Sequence, residues 1–173
     1  MKTLLTADDL REGVIRMSLE IVDAYGDCPL TILGVLTGSI VLMADLIRHI
    51  DIPLRVGVVQ ARSYRGAATR RGPLVINSDL MPDIRDRDVL VVDDIFDTGH
   101  TLVELTRLLD DFMPRTVRTA VLLRKQGRQE VALQPDFIGF EIPNEFVVGY
   151  GLDYQDEYRD LPYVAVLEED DLR

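Results

Sequence analysis

Asp93, Asp94 and Asp97 close an aliphatic run in the string VLVVDDIFDTGHTL, Val89 to Leu102. Paired carboxylates accept hydrogen bonds and hold hard cations, and a third nearby can serve proton transfer. Thr98, Gly99, His100 and Thr101 follow at once and open a stretch with helical character. A helix N-terminus with small hydroxyl residues and a glycine suits an anion. Three carboxylates beside such a cradle pose an electrostatic problem, which the choice of ligand has to solve.

The elements that must position these residues alternate in type. Thr6 to Asp9 forms a capping box, followed by Leu10, Val14, Met17 and Ile21 at helical spacing, and Gly26 ends that helix. LTILGVL (Leu30–Leu36) is a continuous apolar strand, and Ser39–Ile50 is expected to be helical. LRVGVVQA is a second strand, DVLVVDD a third and TVRTAVLLRK a fourth, with a helix over Thr101–Phe112 that stops before Pro114. PLVINSDL reads as a strand or a hairpin arm, and the segment after Asp136 as short β pieces between proline and glycine turns. Arg62–Gly72, polar and carrying four arginines, cannot be core. Strands apolar on both faces, alternating with helices, predict an α/β fold with a mostly parallel sheet flanked by helices. Neither a repeat nor a linker interrupts the chain, so a single domain over 1–173 is expected.

In such folds ligands sit beyond the carboxyl ends of the strands. Thr37-Gly38, Ser63-Tyr64, Asp93-Asp94 and Lys125 each follow a strand directly. The nucleotide motifs G-x-x-x-x-G-K-[ST] and G-x-G-x-x-G are absent. A receiver domain would open with VLVVDD, whereas two strands precede it here, and DIFDT has the wrong spacing for a dehalogenase-type phosphatase. A ribose phosphate uses every residue of the string. Amides and hydroxyls of Thr98 through Thr101 can cradle the 5′-phosphate. Asp93 and Asp94 can take the vicinal sugar hydroxyls, directly or through magnesium, and Asp97 remains for proton transfer. The carboxylates then face sugar and metal rather than the phosphate. The plain alternative is a solvated turn with Asp97 as helix cap.

The formal charge of −11 argues against nucleic acid as partner. Cys28 is the single cysteine, which excludes an internal disulfide framework and fits a cytoplasmic location. The opening MKTLLTADDL turns acidic before a signal peptide could form, and no apolar run reaches the roughly 18 residues of a membrane span.

With these motifs in view, the chain resembles type I phosphoribosyltransferases through VLVVDDIFDTGHTL. It resembles their 6-oxopurine branch, the hypoxanthine-guanine enzymes, through GVLTGS, the SY loop, LLRK, PDFIGFEIPNEFVVGYGLDY and YRDLPYV. The resemblance implies a parallel sheet flanked by helices with a small hood formed by terminal segments. It implies Mg2+-dependent transfer of 5-phosphoribosyl from phosphoribosyl pyrophosphate to N9 of hypoxanthine or guanine. Leu36-Thr37-Gly38 would be the pyrophosphate loop, with a non-proline cis peptide; Thr37 stands where relatives often carry Lys or Arg. Ser63 and Tyr64 would belong to a closing loop. Asp93 and Asp94 would hold the ribose hydroxyls and magnesium, Asp97 would be the general acid/base at N7, and Thr98, Gly99, His100 and Thr101 would bind phosphate. Lys125 would contact the 6-oxo group, Phe146 would stack on the ring, and Val147 would offer backbone contacts. Asp153 would bind a second magnesium and Arg159 would meet pyrophosphate. The partners implied are purine base and phosphoribosyl pyrophosphate, with no nucleic acid or membrane, in a homodimer or homotetramer. The rival readings are a transferase for xanthine, adenine or a pyrimidine, and a non-catalytic regulator that senses phosphoribosyl pyrophosphate.

Overall fold

A large sheet runs in the order Leu74–Asn77, Leu54–Ser63, Leu30–Leu36, Asp88–Phe96, Thr116–Lys125, Phe137–Ile142, and a smaller one Lys2–Leu5, Val164–Val166, Val147–Val148. The structure is a computed structural model and describes residues 1–63, 74–168 and 171. The chain enters through β1 (Lys2–Leu5) and then α1 (Ala7–Tyr25). Thr6 Oγ1 accepts from the Asp9 amide (3.1 Å), while the Asp9 carboxylate accepts from the Thr6 amide (2.8 Å). That is the expected capping box, and Gly26 at φ 56° closes the helix. Next come β2 (Leu30–Leu36), α2 (Ile40–Leu46), β3 (Leu54–Ser63) and β4 (Leu74–Asn77). The chain continues as β5 (Asp88–Phe96), α3 (His100–Asp110), β6 (Thr116–Lys125), β7 (Phe137–Ile142), β8 (Val147–Val148) and β9 (Val164–Val166).

Strands β3, β2, β5, β6 and β7 are mutually parallel. Among the described residues of the large sheet β4 alone runs antiparallel, paired with β3 as a hairpin arm, while the small sheet is antiparallel throughout. Successive side chains of a strand face opposite ways, and β5 shows why its sequence is apolar throughout. Leu90 and Val92 join the core against α1 and α2. Val89 and Val91 join the other core, against Leu102, Leu105 and Leu109 of α3. Two covered faces leave the strand ends as the place for polar chemistry.

Two expectations change in detail. The stretch Ser39–Ile50 is helical only over Ile40–Leu46; beyond it Arg48 and His49 donate to Asp45 and Leu46 carbonyls, so the last turn tightens to three-residue spacing. Strand β1 has no strand signature in the sequence, being four residues long and largely exposed. Its partner supplies the order: Lys2 pairs with Val166 and Leu5 with Val164 of β9. The small sheet thus forms from the two ends of the chain, as the expected hood.

At the opposite edge from the strand ends, Asp88 is buried at the start of β5 and accepts from Arg115 Nε (2.9 Å) and Nη2, and from Thr116 Oγ1 (2.7 Å). The Arg115 hydrogen bonds hold its carboxyl below the usual carboxylate range. Arg115→Met should therefore cost about 1–3 kcal/mol at neutral pH, read as a shift in urea midpoint, because it strands a buried charge. A depressed folded-state value gives stability above the ordinary carboxylate range and loses it as pH falls through the folded value. The mutant's deficit should accordingly shrink in acid.

Candidate active site

Most of the expected phosphate-, ribose- and pyrophosphate-binding residues meet in a cleft of about 320 Å³ at the carboxyl ends of β2 and β5, whereas His100 and Lys125 are not part of its lining. Thr37, Gly38, Asp93, Asp94, Asp97, Thr98, Gly99, Thr101, Asp153 and Arg159 all line it. The peptide between Leu36 and Thr37 is cis, as the resemblance implied. Beside it, Gly38 is required by close approach. A Cβ built there would lie 1.6 Å from Asp94 Oδ2. Gly38→Ala should therefore displace the Asp94 carboxylate while leaving the fold intact. Misplacement on the scale of an ångström costs on the order of 10²-fold in rate, which initial-rate and thermal-melt measurements on the variant would test together.

Asp93 is 8% exposed and accepts from the Asp94 amide (3.0 Å), and Asp94 accepts from the Ile95 amide (2.8 Å). Burial pushes the Asp93 carboxyl well above the usual range, and the Asp94 charge pushes the same way. Asp94 is also raised by burial, against the hydrogen bonds it accepts and the field of Arg159. The pair is short of positive charge. Arg159 itself is committed elsewhere: to the Gly151 carbonyl (2.7 Å) and to Asp153 Oδ1 (2.8 Å), with Asp156 at 3.4 Å.

Helix α3 begins beyond Gly99, which has φ 89° and a left-handed backbone, and no side chain caps its N-terminus. First-turn amides have no partner within a helix, so an uncapped start suits an anion. The His100 side chain turns away to Glu130 (2.9 Å).

Strands β5 and β6 end together, with Phe96 opposite Arg124 in register. Beyond this pair Lys125 ends β6 and Asp97 follows β5, and the two meet: Lys125 Nζ lies 3.5 Å from Asp97 Oδ2. Lys125 is only 12% exposed, so this pair is partly withdrawn from water. Arg128 Nε donates to the other Asp97 oxygen at 2.9 Å. Sequence reasoning missed Arg128. Its signal was the string KQGR, in which Gly127 at φ 71° turns the chain straight back after the strand end.

Phe146 and Val147 lie outside the 320 Å³ cleft. Phe146 is 51% exposed and meets Tyr154 edge to face, with ring centroids 5.6 Å apart, while Val147 is buried in β8. Ser63 ends β3, and Tyr64 with the rest of the expected closing loop to residue 72 lies outside the described residues. A larger cavity, about 600 Å³, lies against α1 and α2; of the expected residues it takes in Arg159 alone.

The phosphoribosyl transferase domain model matches residues 2–155. The chain belongs to the phosphoribosyltransferase family. Within that family, it is 39% identical to the hypoxanthine-guanine phosphoribosyltransferase of Staphylococcus epidermidis, over 95% of this chain and 92% of the relative. Identity to the Streptococcus pneumoniae enzyme of the same name is 38%, covering 98% and 94% of the two chains. The crystal structure of a hypoxanthine-guanine phosphoribosyltransferase from Bacillus anthracis, with a HEPES molecule in its active site, superposes with a TM-score of 0.92. Its sequence is 34% identical, and the match covers 97% of this chain and 99% of that one. The parallel sheet, flanking helices and terminal hood are thus the architecture of this transferase family.

Proposed function

We propose that the chain is a purine-salvage transferase that joins hypoxanthine or guanine to phosphoribosyl pyrophosphate, giving IMP or GMP and pyrophosphate. The observation that carries the choice of base is the Lys125–Asp97 pair, 3.5 Å apart at the ends of adjacent strands. A 6-oxopurine free base in its N7–H form presents an acceptor, O6, beside a donor on one edge. Lysine is a donor only and a carboxylate an acceptor, so the pair is complementary to that edge. The named relatives favour the same reading.

The roles proposed for the other residues are those that the resemblance implies. The uncapped start of α3, with Thr98, Gly99, His100 and Thr101, takes the 5′-phosphate. Asp93 and Asp94 take the ribose hydroxyls. Thr37 and Gly38 at the end of β2 border the pyrophosphate, and Arg159 leaves Asp153 to neutralise it. Asp97 accepts the N7 proton as N9 attacks C1′. Phe146 and Val147 contribute from the hood, the ring of Phe146 stacking on the base. The closing role expected of Ser63 and Tyr64 rests on the resemblance alone.

A buried carboxylate, Asp93, beside the half-buried Asp94 is a fitting donor set for Mg2+, which is held by one or two carboxylates plus substrate oxygens. Among the described residues no group of three or more His, Cys, Asp or Glu gathers, so such an ion would complete its shell from substrate and water. Asp93 and Asp94 would hold it, with Asp153 available to a second ion once Arg159 lets go. Bound there, the metal would neutralise charge on the leaving pyrophosphate.

No helix among the described residues is long and apolar enough to cross a membrane. A cytoplasmic setting and a homodimer or homotetramer complete the proposal; light scattering on the purified chain would test the assembly. The decisive experiment measures initial rates with hypoxanthine, guanine, xanthine, adenine and uracil, each with phosphoribosyl pyrophosphate and Mg2+. Transfer to the two named 6-oxopurines supports the assignment. Transfer to adenine or uracil at comparable rates would overturn it, and no transfer to any base would favour a sensing role.

A further inference from the structure

Arg128 has no part in the roles above, yet it makes the shorter of the two ion pairs on Asp97. Its Nε donates to Oδ1 at 2.9 Å, while Lys125 Nζ stands 3.5 Å from Oδ2. The two cations divide the carboxylate between them, one oxygen each. If Lys125 bonds the 6-oxo group of a purine and Oδ2 takes the N7 proton, the substrate displaces the lysine's contact. Among the described residues, Arg128 is then the cation left on Asp97.

We infer that Arg128 is a positioning residue for the proton acceptor, holding Asp97 through Oδ1 so that Oδ2 faces the purine edge. The inference rests on the assignment of Asp97 made above.

The segment that carries Arg128 is itself fastened to the phosphate loop. The Glu130 amide donates to the Thr98 carbonyl (3.1 Å), and the Glu130 carboxylate meets His100 Nε2 (2.9 Å). Val131 fills the space under Gly99, where a Cβ would come within 2.4 Å of its Cγ2. Gln129 bonds the carbonyls of Val131 and Leu133 at 2.7 and 3.1 Å, which closes the segment on itself. The arginine and the aspartate it holds therefore ride on one braced unit. A catalytic group needs that kind of support, since its orientation is set by the rotamers and bonds behind it. The planar guanidinium also fixes the direction of its N–H, which a lysine ammonium does not.

The test is a double-mutant cycle on kcat with hypoxanthine, using Arg128→Met and Asp97→Asn singly and together. Arg128→Gln, which keeps an N–H donor without the charge, and Arg128→Lys, which keeps the charge, run beside them. Arg128→Met should lower kcat by about 10- to 10²-fold, the scale of a misplaced catalytic group. KM for phosphoribosyl pyrophosphate should stay within about twofold, since positioning acts on the proton transfer rather than on binding. Gln and Lys should each restore part of the loss. In the Asp97→Asn background, Arg128→Met should change kcat less than about twofold, because residues acting as a unit are not additive.

Near-wild-type kcat in Arg128→Met would overturn the inference. So would an equal fold-loss in both backgrounds, or a rise confined to KM for phosphoribosyl pyrophosphate, which would make Arg128 a phosphate ligand. Full turnover by Asp97→Asn alone would remove the Asp97 assignment and the positioning role with it, whereas the Arg128→Met results judge the positioning role alone when Asp97→Asn is slow. Arg128 is 42% exposed, so the variants should melt with the parent chain; a matching loss of fold in both Met and Gln variants would assign Arg128 to stability and sink the positioning role.

Discussion

Adenine is expected to react about 10⁴- to 10⁵-fold less efficiently than hypoxanthine, measured as kcat/KM with phosphoribosyl pyrophosphate and Mg2+. The cause lies in Lys125, which is 12% exposed and held 3.5 Å from Asp97. An ammonium has three donors and no acceptor, so it bonds a 6-oxo oxygen and opposes a 6-amino group. Binding adenine would take the lysine from its carboxylate and leave it facing another donor in a partly dry site. A site built to bond one group rejects its counterpart strongly because the buried partner is left unpaired. Lys125→Gln should lose rate with hypoxanthine and narrow the gap, since an amide can donate or accept. Comparable kcat/KM for adenine and hypoxanthine on the unmutated chain would remove Lys125 from base selection.

Asp97→Asn should lower kcat by about 10²-fold or more, the usual scale for loss of a positioned proton acceptor. The amide keeps the shape of the carboxylate but cannot take the N7 proton. Phosphoribosyl-pyrophosphate binding should hardly change, because the proposed assignment gives that ligand's phosphate to the α3 start and its sugar to Asp93 and Asp94. Isothermal titration with phosphoribosyl pyrophosphate and a single-turnover rate with hypoxanthine separate the two effects. A variant that binds poorly and turns over normally once saturated would place Asp97 in ligand binding instead.

These two residues also mark the limit of what sequence reading supplied. Asp97 stood out because its neighbours are unusual: two carboxylates before it and an anion-type helix start after it. Lys125 alone was an ordinary strand-end lysine, and its interest came from a resemblance. The register that sets Phe96 opposite Arg124 brings the two together. Arg128 passed unremarked, since a charged residue after Gly127 is what most surface turns contain. The short strand β1 was missed for a related reason: four residues, two exposed and two half-buried, carry no periodic signal, and their order comes from β9, more than 150 positions away.

By itself, the sequence determined the local and periodic features of this chain. Apolar runs on both faces demanded a covered parallel sheet, and the capping box and Gly26 set the first helix. The string DDIFDTGHT at a strand end placed acceptors beside an anion cradle. These are short-range properties, written by side-chain period and backbone preference within a dozen residues. The tertiary structure decided which strand ends share a cleft, that Gly38 must yield its side-chain space to Asp94, and that Asp97 stands between two cations. Contacts between distant segments depend on how the two cores close and in what register the strands align. Pattern within one strand cannot specify its neighbour's register, so that part of the site came into view only in the folded chain.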